Sequence, residues 1–177
     1  MIEHEVKLAF DTLEAARTAV HTAGGRLLLS PRLQHDRLFA GSDGRFRSDG
    51  STLRLRRDGD RAFVTFKGPV QGGDVKSREE TETTVGDADT FEAILRAAGF
   101  APWFRYEKRR EEYALGSARV AIDETPLGVF VEIEGPPPAI LDVTISLGRT
   151  SADYIRDSYR ALWLKSGAAA DSDMLFS

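Results

Sequence analysis

Residues 1–10 read MIEHEVKLAF, and within them Glu3, Glu5 and Lys7 stand two residues apart, with His4, Val6 and Leu8 between or beside them. Successive side chains of a β-strand point to opposite faces, so the three charges share one face and Val6 and Leu8 the other. A solvated sheet face is the ordinary home for such charges. In a chain that is 29% charged, one triplet of this kind also arises readily by chance. The reading therefore turns on whether the pattern recurs.

It recurs along the chain. In LRLRR, Arg54 and Arg56 share a face opposite Leu53 and Leu55; in FVTFKGP, Lys67 shares one with Thr65. Arg78, Glu80 and Glu82 align in REETET. Lys108, Arg110 and Glu112 align in EKRREEY, where the other face is polar too. Arg119 and Asp123 align in ARVAIDE, and Glu132 and Glu134 in VFVEIEG. Arginine pairs and glutamate pairs fall on different strands, although like neighbours on one face repel. Clustered acids attract a cation and clustered bases a polyanion. Two arrangements satisfy this: an open sheet with its charged face in water, or a barrel with that face turned inward around a wet, paired or ligand-filled tunnel.

The remaining sequence bounds both. The 177 residues suit one domain, read as residues 1–167 followed by a loose tail at 168–177. Hydrophobic content of 41% argues against disorder. A net charge of −4 gives no general attraction to nucleic acid or to a membrane. The absence of cysteine excludes disulfides, thiolate metal sites and a cysteine nucleophile. No apolar run reaches membrane-spanning length, so a cytoplasmic protein is expected.

Helices are expected after Asp11, as a capping box with Glu14 ending at Gly24–Gly25, and over DTFEAILRAAGF, ending at Gly99. DTLEA at 11–15 is echoed by DTFEA at 89–93, which suggests two related β-α-β halves. A hairpin is expected to turn near Asp58-Gly59. AILDVTISLG fits a strand or a short helix. A last helix is expected from Thr150 or Ser151 through Lys165. Trp103, Phe104, Tyr159 and Trp163 read as core or interface residues.

The ordered set of charged strands resembles the CYTH superfamily, the triphosphate tunnel metalloenzymes, over about residues 2–165. The family's Glu-x-Glu-x-Lys hallmark corresponds to Glu3, Glu5 and Lys7. Its Arg-x-Arg, lysine, Arg-x-Glu-x-Glu, Lys-x-Arg and final acidic strands correspond to Arg54 with Arg56, Lys67, Arg78 with Glu80 and Glu82, Lys108 with Arg110, and Asp123 with Glu132 and Glu134. Its Gln-x-Asp-x-Tyr-Phe stretch appears as Gln34, Asp36, Leu38 and Phe39, without the tyrosine.

The resemblance implies an α+β fold: a closed eight-stranded antiparallel β-barrel with a charged interior, flanked by helices and built from two pseudo-repeated halves. It implies Mg²⁺ or Mn²⁺ held by Glu3, Glu5, Asp123, Glu132 and Glu134, all oxygen donors suited to hard cations. It also implies triphosphate clamping by Lys7, Arg54, Arg56, Lys67, Arg78, Lys108 and Arg110, with Glu3, Glu5, Lys7, Glu132 and Glu134 as the catalytic set. Glu80 and Glu82 serve equally as struts. The expected activity is hydrolysis of a triphosphate such as tripolyphosphate, ATP or thiamine triphosphate. The alternatives are cyclisation of ATP to cyclic AMP and a non-catalytic polyphosphate or nucleotide receptor. Some cyclases of the family carry His-Phe before the hallmark, where this chain has Met1 and Ile2. A homodimer is a further expectation.

Overall fold

The computed structural model describes residues 2–73 and 75–177. Eight strands, β1 (Ile2–Phe10), β2 (Arg26–Gly41), β3 (Thr52–Asp58), β4 (Arg61–Lys67), β5 (Lys76–Val85), β6 (Phe100–Leu115), β7 (Ala118–Thr125) and β8 (Gly128–Glu134), form a closed antiparallel barrel. Around it they run β1-β5-β4-β3-β2-β6-β7-β8, with β1 also bonded to β8. Helices α1 (Leu13–Thr22), α2 (Ala88–Ala97), α3 (Pro137–Ser146) and α4 (Tyr159–Lys165) lie outside the wall.

The two halves, β1-α1-β2-β3-β4 and β5-α2-β6-β7-β8, have the same element order. Exchanging them reproduces the circular strand order read backwards, which is a pseudo-two-fold relation. The DTLEA and DTFEA echoes both sit at helix starts, one turn out of step. Thr12 caps α1 through Ala15 N, whereas Asp87, two residues before the echo, caps α2 through Thr90 N. The cap of α1 is thus Thr12 and not Asp11, because only Thr12 places its oxygen on a free first-turn N–H.

Strand alternation puts apolar side chains outside the barrel, beneath the helices. Val6 and Leu8 of β1, Val120 and Ile122 of β7, and Val131 and Ile133 of β8 pack with Ala16 and Val20 of α1 and with Ile140 and Val143 of α3. Phe39, Leu55 and Ala62 pack with Ala88 and Leu95 of α2. The ambiguous 139–148 stretch is helical because Ile140 and Val143 find this shared core, and prolines at its first turn need no N–H partner. Where α1 turns into β2, a Cβ on Gly25 would lie 2.5 Å from Val20 Cγ1 and 2.9 Å from the Val20 carbonyl oxygen. Gly25→Ala is therefore expected to cost about 1–3 kcal/mol in urea unfolding.

Two expectations near the C-terminus differ from the structure. Residues 151–165 are not one helix: a 3₁₀ turn at Ser151–Asp153 gives way to extended chain, and α4 begins only after the Ser158 cap. The Ile155 N–H donates to the Lys7 carbonyl, and that bridge to β1 draws the segment out of helical geometry. The last residues, expected to be loose, lie along β6. Met174 is fully buried and bonds through its backbone to Arg105 and Glu107. No helix among the described residues is long and apolar enough to cross a membrane.

Candidate active site

The inner face of the barrel carries the charges that alternation assigned to it, around a cavity of about 470 Å³. Glu3, Glu5, Lys7, Arg54, Arg56, Lys67, Arg78, Glu80, Glu82, Lys108, Arg110, Glu132 and Glu134 all line it. Asp123 alone of the expected site residues lies behind the lining, fully buried but bonded to it. The charged faces are thus turned inward, away from bulk solvent.

Three groups of ion pairs divide the tunnel. In the first, Asp123 accepts from Lys108 Nζ at 2.9 Å, from Arg110 Nε and Nη2 at 2.6 Å each and from the Tyr159 hydroxyl at 2.6 Å. Glu132 joins this group through Lys7 Nζ at 2.9 Å and through Arg110. In the second, Asp36 takes a two-pronged contact from Arg56 at 2.8 and 3.1 Å, with Arg54 at 3.5 Å. In the third, Lys67 bridges Glu3 at 3.0 Å and Glu80, while Glu5 pairs with Lys76 and, at 3.7 Å, with Arg78. Glu82 accepts from Thr65 at 2.7 Å and Arg54 at 3.4 Å.

Burial raises the cost of each charge, and the partners decide the outcome. For Asp36, burial opposes ionisation but Arg56 and Arg54 outweigh it and hold the carboxyl below its ordinary value. Glu132, against the same penalty, is held well below by Lys7 and Arg110. Burial, aided by Arg110 beside it, lowers Lys108 to about 8. A depressed carboxyl contributes stability that is present above its unfolded value and lost as pH falls through its folded one. The urea midpoint is therefore expected to fall steeply below pH 3.8, the ordinary value for Asp36, and less steeply in Asp36→Asn.

At one mouth the compensation is uneven: Lys76 outweighs burial and holds Glu5 below its ordinary value, whereas Glu3 and Glu134 are raised. Glu5 is the register partner of Glu134 across the β1–β8 seam. Burial and the neighbouring Glu80 raise Glu3 to about 7. Burial, then Glu3 and Glu5, raise Glu134. Glu3, Glu5 and Glu134 are an all-oxygen set that fits a hard divalent cation in donor chemistry, with Lys67 and Lys76 already paired to Glu3 and Glu5. It is not a ready-made cage: no three His, Cys, Asp or Glu side chains among the described residues converge as one. Asp123 fits such an ion less well, since Lys108, Arg110 and Tyr159 already occupy its oxygens.

Three of the tunnel residues that escape the motif reading bear directly on its charges. Lys76 is buried against Glu5; it lies two residues before Arg78 on the same face, a signal the alternation held. Tyr106 likewise precedes Lys108 by two and lines the tunnel. Tyr159 is not a plain core residue: its ring stands 4.6 Å from Lys7 Nζ and 5.2 Å from Lys108 Nζ. No strand pattern could announce it, because the bridge at Ile155 is what carries α4 to the barrel end.

Residues 1–159 match the CYTH domain family. The chain belongs to that family. It is 32% identical over 135 residues to a Methanocaldococcus jannaschii protein named "Putative adenylate cyclase", covering 76% of this chain and 77% of that one. Among solved structures, a Pyrococcus horikoshii protein superposes with a TM-score of 0.77 at 26% identity, covering 93% and 99% of the two chains. A Hippeastrum protein, described as a putative adenylyl cyclase with a dominant triphosphatase activity, has a TM-score of 0.66 at 16% identity over 95% and 96%. The last supports the fold alone. CYTH membership accounts for the closed barrel and its inward charges together.

Proposed function

We propose that the tunnel binds a triphosphate and hydrolyses it with the help of Mg²⁺ or Mn²⁺. The observation that carries this reading is one closed barrel in which Glu3 and Glu134, both raised by burial and acidic neighbours, share a cavity with a wall of cations. Lys7, Arg54, Arg56, Lys67, Arg78, Lys108 and Arg110 are assigned to the phosphate oxygens, where fixed positive charge neutralises what develops during phosphoryl transfer. Glu3, Glu5 and Glu134 are assigned to the metal. When bound there, a divalent ion supplies Lewis-acid charge and lowers the pKa of a bound water. Asp123 and Glu132 are assigned to holding Lys7, Lys108 and Arg110 in place, and Glu80 and Glu82 to bracing Lys67 and Arg54.

Cyclisation of ATP is the second reading, favoured by the name of the M. jannaschii relative. The two separate on products. Purified protein is incubated with Mg²⁺ or Mn²⁺ and, separately, tripolyphosphate, ATP and thiamine triphosphate. Phosphate release is the expected result; cyclic AMP with pyrophosphate assigns the cyclase. Binding without turnover of any of the three overturns the enzyme reading in favour of a receptor.

A further inference from the structure

A second cavity, of about 220 Å³, opens beside the tunnel where the 42–51 loop meets the starts of β6 and α4. It shares Arg54, Lys67 and Arg78 with the tunnel, and its own walls include Phe46, Arg47, Trp103 and Arg160. Two backbone irregularities build those walls. Leu38 pairs with Phe104 and Phe39 with Pro102, which leaves Trp103 as the extra residue of a bulge in β6. A bulge breaks alternation and re-aims a side chain. Without it Trp103 would continue the outer series of Arg105, Glu107 and Arg109.

Phe46 has φ 63°, and no other non-glycine among the described residues has positive φ. A bulky side chain ordinarily avoids this left-handed region. Here Phe46 is held by ring contacts with Phe66 and Phe100, each at 5.7 Å between centroids. Backbone outliers of this kind cluster at ligand clamps.

The charge of the cavity narrows what it can take. The Arg47 and Arg160 guanidinium carbons lie 5.0 and 5.6 Å from the centre of the Trp103 ring. Arg160 bonds to the carbonyls of Ala170 and Ser172 and forms no ion pair among the described residues, with Asp173 and Asp171 near enough to offset its charge only in part. A flat neutral heterocycle stacks on such surfaces and offers its electron-rich edge to the guanidiniums. The permanently cationic thiazolium of thiamine triphosphate is repelled, and tripolyphosphate has nothing to place there.

We propose that this cavity seats the base of a nucleoside triphosphate, whose phosphates pass Arg54, Lys67 and Arg78 into the tunnel, and that Trp103 determines the preference. The proposal rests on the triphosphate reading of the tunnel. It is tested by equilibrium titrations with ATP, tripolyphosphate and thiamine triphosphate, in EDTA and again in Mg²⁺. Wild type is expected to bind ATP about tenfold more tightly than tripolyphosphate, with thiamine triphosphate no tighter than tripolyphosphate. Trp103→Ala is expected to bring ATP to the tripolyphosphate level and leave tripolyphosphate unchanged. Arg47→Ala, on the exposed loop and so harmless to folding, is expected to weaken ATP severalfold with tripolyphosphate again unchanged. Equal affinity for ATP and tripolyphosphate in wild type, or equal weakening of both in Arg47→Ala, overturns the base site. Failure of tripolyphosphate to bind under either condition overturns instead the reading of the tunnel.

Discussion

Asp123→Ala is expected to lower stability by about 3–5 kcal/mol, the range for breaking a buried ion pair by removing one partner. Asp123 is fully buried and accepts from Lys108, Arg110 and Tyr159 at once. Its loss takes the acceptor from buried Lys108 and from the Tyr159 hydroxyl and one of two carboxylates from Arg110. Arg110 keeps Glu132, and Lys7 shares that same carboxylate, so the group cannot simply re-pair. In thermal unfolding the midpoint should fall by roughly 10 °C. Tripolyphosphate should recover part of the loss, because the freed Lys108 and Arg110 gain an anion to replace the carboxylate. A variant of native stability that has lost only its response to metal would instead make Asp123 a metal ligand, the role its family position implies.

Glu134→Gln is expected to behave in the opposite way. Glu134 keeps part of its surface open to solvent, makes no ion pair among the described residues, and is raised by the burial of its carboxyl and by Glu3 and Glu5. Removing its charge relieves repulsion and strands no partner, so stability should change by no more than about 0.5 kcal/mol. Metal-dependent turnover should fall by at least about 10²-fold, with a higher metal concentration needed for half-maximal rate. Unchanged turnover at saturating and limiting metal would remove Glu134 from the metal site. The two variants together separate an acid that organises the cations from an acid available to a metal.

The barrel was legible because strand alternation is a short-range rule. Glu3 to Lys7, Arg54 with Arg56, and Glu132 with Glu134 each declare a polar face, and the helices' apolar faces declare where the core must go. Alternation alone left the side of the wall open, and the order of the motifs along the chain closed that question. What stayed hidden depends on contacts between distant segments. Asp123 and Glu134 look alike as acids on charged strands, yet the first meets three donors and the second meets acids. Tyr159 reaches the tunnel only because Ile155 bridges to Lys7. Trp103 leaves the outer series only because its strand gains one residue against β2. Tertiary pairing decides each of these, and no local window contains both partners.

The seam between β1 and β8 has a consequence for how the protein comes to be folded. The strand bearing Glu3, Glu5 and Lys7 is the first of the eight in the chain, and one of its two neighbours is the last. Every other strand pairs with one consecutive to it in sequence; β1 obtains its partners only after β5 and then β8 exist. Pairings of such long sequence separation are slow to form. Closure is therefore a late event, and it is closure that sets Glu5 beside Glu134. The acid mouth has no partial form: a chain made as far as β7 already carries Lys7, Arg54, Arg56, Lys67, Lys108 and Arg110, yet Glu5 and Glu134 do not meet until the ring shuts.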